Sequence, residues 1–118
     1  MVIRNALAIL LILVSTATNA GMKVSDYQLE KNTPQMEIYL KGVVNGFAFS
    51  NTELIDRKQE ALYCPPKDQV IEIDTYIQLL DEKIRSYPKD VVSNFEIEPL
   101  LLSKLIETYP CKWEYVSL

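Results

Sequence analysis

Thr33-Pro34-Gln35-Met36-Glu37-Ile38-Tyr39-Leu40-Lys41-Gly42-Val43-Val44-Asn45-Gly46-Phe47 is the stretch that decides the fold. Thr33 supplies a side-chain oxygen suited to capping a helix start, and Pro34 falls at the first helical position, where its missing N–H costs nothing. Met36, Leu40, Val43, Phe47 and, further on, Leu54 follow at spacings of four, three, four and seven, which places them on one helical face. Gly42 and Gly46 interrupt this helix four residues apart. Each costs about 1 kcal/mol of helix propensity relative to Ala, so close packing, within the fold or across a dimer, is expected to offset the loss.

Downstream, Asp56-Arg57-Lys58-Gln59-Glu60 is too hydrophilic for a core and reads as the loop into which the helix frays. Leu62-Tyr63-Cys64-Pro65-Pro66 must be extended, because two prolines forbid helix and bias Cys64 toward the β or polyproline region. A second helix is expected from about Glu72 to Tyr87, with Ile73, Tyr76, Ile77, Leu80, Ile84 and Tyr87 on one stripe, Asp74 in the first turn and Pro88 as its stop. A third helix begins either at a Ser93 or Asn94 cap, with Pro99 tolerated in or just after the first turn, or at Pro99 itself. Leu101, Leu102, Leu105, Ile106 and Tyr109 supply its buried face before Pro110 ends it. Upstream, Gly21 to Asn32 shows no helical period and reads as a flexible or loosely docked arm with little function. No period-2 run argues for a sheet. The expected class is all-α: a small single-domain bundle of three to four helices over residues 21–118.

The first twenty residues set the expected compartment. Arg4 precedes an unbroken apolar run of nine residues, Ala6 to Val14, and Thr18-Asn19-Ala20 offers small residues where a signal peptidase reads them. The run is far short of the roughly 20 residues needed to cross a bilayer, so residues 1–20 read as a cleaved signal peptide, with cleavage before Gly21 and no membrane insertion afterwards. The mature chain would have 98 residues, enough for one small core. Its two cysteines, Cys64 and Cys111, would enter an oxidising compartment and pair with none left over. Closing a loop of that length lowers the unfolded chain's entropy by about 4 kcal/mol in the simple model.

The whole chain has 12 Lys plus Arg against 16 Asp plus Glu. Arg4 is the one charge in residues 1–20, so 11 basic and 16 acidic residues remain after cleavage, a net charge of −5. The basic residues are scattered, which makes nucleic acid a poor partner and a basic protein a better one. Histidine is absent, which removes the commonest general base, the commonest metal ligand and every Ser-His or Cys-His pair. Asp81 with Glu82, or Glu96 with Glu98, are carboxylate pairs on polar surfaces and give no pattern of a catalytic site. Phosphate loops, zinc spacings and calcium loops are missing. The expectation is a binding protein, not an enzyme, with no catalytic residue, cofactor or metal. Tyr39, Phe47, Tyr76, Tyr87 and Tyr109 read as core aromatics, while Phe49, Tyr63, Phe95, Trp113 and Tyr115 remain open between core and surface.

Taken in order, the leader, then Tyr39-Leu40-Lys41-Gly42-Val43-Val44-Asn45-Gly46-Phe47 with Asn51, then Leu62-Tyr63-Cys64-Pro65-Pro66, a helix bearing Tyr76, and Tyr109-Pro110-Cys111 form a pattern over nearly the whole mature chain. It resembles the Rap/Tai family of immunity proteins. The resemblance implies a periplasmic protein, often a dimer, that docks on a type VI secretion effector, a peptidoglycan amidase using Cys and His, and blocks its cleft with a loop. The polar breaks between expected helices give the candidate partner-binding residues: Asp56, Arg57, Lys58 and Glu60 in one, Lys89, Asp90 and Asn94 in the other. A small periplasmic chaperone of the acid-stress type, also helical with one disulfide, is the competing reading.

Overall fold

A computed structural model describes residues 21–112. The leader, residues 1–20, and the tail, residues 113–118 with Trp113 and Tyr115, lie outside the described residues. Five helices follow in order: α1 (Val24–Glu30), α2 (Pro34–Asp56), α3 (Ile73–Arg85), α4 (Lys89–Val92) and α5 (Ile97–Thr108). Among the described residues the nearest approach to a sheet is a single antiparallel bridge between Lys23 and Glu96. The fold is all-α, and Cys64 and Cys111 form a disulfide with Cα atoms 4.9 Å apart.

Helix α2 starts as its sequence dictates. Thr33 is extended, its hydroxyl oxygen accepts from the Met36 N–H at 3.2 Å, and Pro34 occupies the first turn. The same hydroxyl donates to the Glu30 carbonyl at 2.8 Å, so one residue both ends α1 and begins α2. The inward face carries Met36, Leu40, Val44 and Asn51, with Val43 and Phe47 packed at its edge. Helices α3 and α5 pack closely against each other and run antiparallel, with Tyr87 just past the end of α3 against Phe95 just before α5, and Tyr76 near the start of α3 close to Tyr109 at the end of α5. They bring Leu79, Leu80 and Ile84 onto Leu100, Leu101 and Leu105, and ion pairs from Lys83 to Glu107 (2.5 Å) and Lys104 to Glu82 (3.5 Å) flank that seam. The Lys83 ammonium holds the Glu107 carboxyl below the usual carboxylate range, and hydrogen bonding to Glu107 raises Lys83 in turn.

Two expectations are corrected here. The segment Gly21 to Asn32 is not a loose arm: α1 is part of the core, with Val24 and Tyr27 buried and Tyr27 fully so. Main-chain bonds from Val24 N–H to the Phe95 carbonyl (2.9 Å) and from Ile97 N–H to the Met22 carbonyl (2.8 Å) zip it to the start of α5. The segment after Pro88 is not a bare turn, since Lys89 to Val92 close one helical turn and bury Val92. Helix α5 then starts at Ile97 behind an extended Glu96, which puts Pro99 in the first turn, where its missing N–H leaves no bond unmade.

Candidate partner-binding surface

The C-terminal end of α2 is closed by a two-bond cap. Lys58 N–H donates to the Ile55 carbonyl at 2.9 Å and Gln59 N–H to the Leu54 carbonyl at 2.8 Å. This geometry requires a left-handed residue just past the helix, normally Gly, yet Lys58 takes it with φ of 58°. The turn presents Asp56, Arg57, Lys58 and Glu60, all exposed. Arg57 pairs with Glu53 one turn back at 2.8 Å, whereas Asp56, Lys58 and Glu60 make no side-chain hydrogen bond or ion pair among the described residues.

Just beyond, the chain is held rigidly. Asn51, buried on α2, accepts from the Leu62 N–H at 2.8 Å through its side-chain oxygen and donates from its amide nitrogen to the Tyr63 carbonyl at 3.0 Å. Cys64 N–H donates to the Tyr109 carbonyl at 2.8 Å, and the disulfide ties the same point to Cys111. Tyr63, which the sequence left open, is buried. It lies close to Tyr76, and burial pushes its phenol up to about 12. Burial also raises Tyr76, with Tyr109 nearby adding to the shift. Phe95 is on the surface, 36% exposed, edge-on to Tyr87 with ring centroids 5.5 Å apart. Phe49 is on the surface, 76% exposed.

The two halves of the expected blocking surface do not meet. Tyr39 hydrogen-bonds Glu98 near the start of α5, while Asn51 is bound to the segment that joins the end of α5. Asp56 stands 17 residues past Tyr39, about 25 Å along a helix axis at 1.5 Å per residue. Lys89, Asp90 and Asn94 are exposed at the opposite end, where Ser25 N–H donates to the Ser93 carbonyl. Asp56 to Glu60 and Lys89 to Asn94 are therefore separate surfaces.

Gly42 and Gly46 make no packing contact with another element among the described residues. A Cβ built on either meets nothing within 4 Å, so the close approach expected inside the fold is absent among the described residues. The glycines lie on an outward strip of α2 that also carries Ile38 and Phe49, 71% and 76% exposed. The carboxylate pairs have structural partners: Asp81 accepts from the Tyr27 hydroxyl at 2.9 Å, and Glu98 accepts from Met22 N–H and the Tyr39 hydroxyl. Open grooves lie on the surface of the described residues. One, of about 460 Å³, lies where α2 meets the segment leading into α3, beside Lys41, Val44, Ile71 and Tyr76; the other, about 520 Å³, lies between α2 and the start of α5. Among the described residues no group of three or more His, Cys, Asp or Glu could hold a metal, and no helix is long and apolar enough to cross a membrane.

The fold and surface define a small all-α domain stapled by one disulfide, with a charged, rigidly based corner at the end of its longest helix. Comparison with known protein families, curated protein sequences and solved structures gives no match.

Proposed function

We propose that this chain is an exported immunity protein of the Rap/Tai kind, which binds a peptidoglycan-cleaving amidase effector of type VI secretion in the periplasm and inhibits it by covering its cleft. The observation that carries the reading is the corner from Asp56 to Glu60: three charged side chains with no hydrogen-bond or ion-pair partner among the described residues stand on a base fixed by Asn51 and by the Cys64–Cys111 disulfide. Inhibition by occlusion needs no catalytic group on the inhibitor. It does need a loop whose conformation is set before contact, since ordering a mobile loop on binding would reduce affinity. The motifs behind the resemblance are the parts that build this base: Asn51 grips Leu62 and Tyr63, and Cys64 of the Cys-Pro-Pro element bonds Cys111 of the Pro-Cys element.

A corner of five residues is smaller than a specific interface, which takes about 800 Å² from each partner. Leu62, 37% exposed and adjacent to the corner, supplies apolar surface next to the charges. The exposed charges act mainly on encounter rate and register. Charge reversal of Asp56 and Glu60 is accordingly expected to slow association with the cognate amidase, whereas reversal of Lys89 and Asp90, at the other end, leaves it unchanged. Loss of association from the Lys89 and Asp90 reversals alone would move the surface to α4. Unchanged kinetics in both sets would contradict the occlusion reading of either loop.

A further inference from the structure

We infer that removal of the leader builds an ammonium-binding site: the new α-amino group at Gly21 is held by Glu96, with Glu98 beside it, at the start of α5. The inference rests on the export reading above. In the uncut chain the Gly21 nitrogen is a neutral amide. Hydrolysis adds water across the Ala20–Gly21 peptide bond, leaving a carboxylate on Ala20 and a protonated amine on Gly21.

The surroundings suit that charge. A Cβ on Gly21 would lie 2.4 Å from Glu96 Oε2. Since a Cβ sits about 2.5 Å from its own backbone nitrogen, the Gly21 nitrogen is within about 5 Å of that carboxylate. The next residue is bound by the second acid, Met22 N–H donating to Glu98 Oε1 at 3.1 Å and Oε2 at 3.3 Å. Met22 and Val24 are then fixed by main-chain bonds to Ile97 and Phe95, so the start of the mature chain is pinned at its second and fourth residues. Neither Glu96 nor Glu98 takes part in an ion pair among the described residues. The other titratable groups at this place are Tyr39 of α2, which donates to Glu98, and the exposed Lys23, whose backbone is bridge-paired with Glu96 but whose ammonium forms no ion pair among the described residues. An opposite charge within about 4–6 Å favours the charged form of an amine. Glycine at position 21 keeps the carboxylate close, because a larger residue would occupy the space that Glu96 fills.

The test uses the full chain expressed with its own leader and purified from the periplasm. Intact mass first locates the N terminus. A retained leader overturns the export reading and with it this site; a cut at another bond leaves export intact and overturns this site alone. With Gly21 shown to be first, the rate of acylation of the α-amine is followed against pH for the native protein, E96Q and E96Q/E98Q. The expected result is an amine titrating about one unit higher in the native protein than in the double variant, equivalent to about tenfold slower labelling near neutral pH, with E96Q between them. E96Q alone decides the matter if the double variant fails to fold, since Glu96 is exposed and carries no other side-chain bond among the described residues. Equal labelling of native protein and E96Q, with Gly21 established as the first residue, overturns the ammonium site while leaving export intact.

Discussion

Asn51 binds Tyr63 across twelve residues of chain: its side-chain amide donates to the Tyr63 carbonyl at 3.0 Å while its oxygen takes the neighbouring Leu62 N–H. Asn51 is buried and gives one donor and one acceptor to two main-chain groups that have no other hydrogen bond among the described residues. Asn51→Ala is expected to cost about 1–3 kcal/mol in chemical denaturation, because both groups stay buried or half-buried without replacement bonds. Asn51→Asp should be at least as damaging, since a carboxylate would face the Tyr63 carbonyl. A loss below the error of the measurement in both variants would show that water replaces these bonds readily.

Tyr27 makes a second separable contribution. Its ring is fully buried and its hydroxyl reaches Asp81 at 2.9 Å, with Lys31 at 3.9 Å from the same carboxylate. Tyr27→Phe keeps the ring and should cost about 1–3 kcal/mol, while Tyr27→Ala should cost about 3–5 kcal/mol. Urea unfolding of the two variants separates bond from ring. Near-wild-type stability of Tyr27→Ala would return this segment to the status of a loose arm.

Helix α2 carries residues whose local cost the fold does not offset. Gly42→Ala and Gly46→Ala have room for the added methyl and should each stabilise the monomer by up to about 1 kcal/mol. Lys58→Gly removes a lysine from the left-handed region and is expected to be stabilising by up to about 1 kcal/mol, reduced by the greater freedom of Gly in the unfolded chain. If the outward strip with Ile38 and Phe49 is covered by a second copy, Gly46→Leu will leave the monomer folded and abolish the dimer in sedimentation. Unchanged oligomeric state in a folded Gly46→Leu protein removes that strip from any such interface.

Alkaline pH offers a test through the tyrosines. Burial and neighbouring groups raise Tyr27, and raise Tyr39 and Tyr63 to about 12, from an ordinary value of 10. For Tyr39 the Glu98 carboxylate adds to burial, and for Tyr27 Asp81 does the same. Between pH 10 and about 12 the unfolded chain releases phenolic protons that the folded chain retains, so the unfolded state holds fewer protons and stability falls as pH rises. The contribution is complete below pH 10 and is lost through that window. Thermal melts across it should show a steepening decline that Tyr63→Phe makes shallower. Parallel pH profiles for native and variant would contradict the burial assigned to this phenol.

The sequence made α2 readable because its signals are local: a cap, a proline in the first turn and an apolar period within one helix. The place of Asn51 was visible, but its role was not, because its partners lie across a turn whose path depends on the left-handed Lys58. Helix α1 left almost no periodic mark. Only Val24 and Tyr27 face inward, and what fixes them is pairing with residues some 70 positions away, at Phe95 and Ile97. The separation of Asp56 to Glu60 from Lys89 to Asn94 is likewise a matter of how helices order in space, on which hydrophilic breaks along the chain carry no information.

The proposed role is tested most directly by purifying the full chain, expressed with its own leader in a bacterium that also makes the candidate effector, from the periplasm with its disulfide intact and identifying what accompanies it. The expected result is one stoichiometric companion, a peptidoglycan amidase with a Cys-His centre, whose activity returns when the complex is dissociated. A spread of unrelated envelope proteins, held more strongly after acid exposure, would contradict it in favour of a chaperone, and an amidase that is expressed but not retained would contradict it outright.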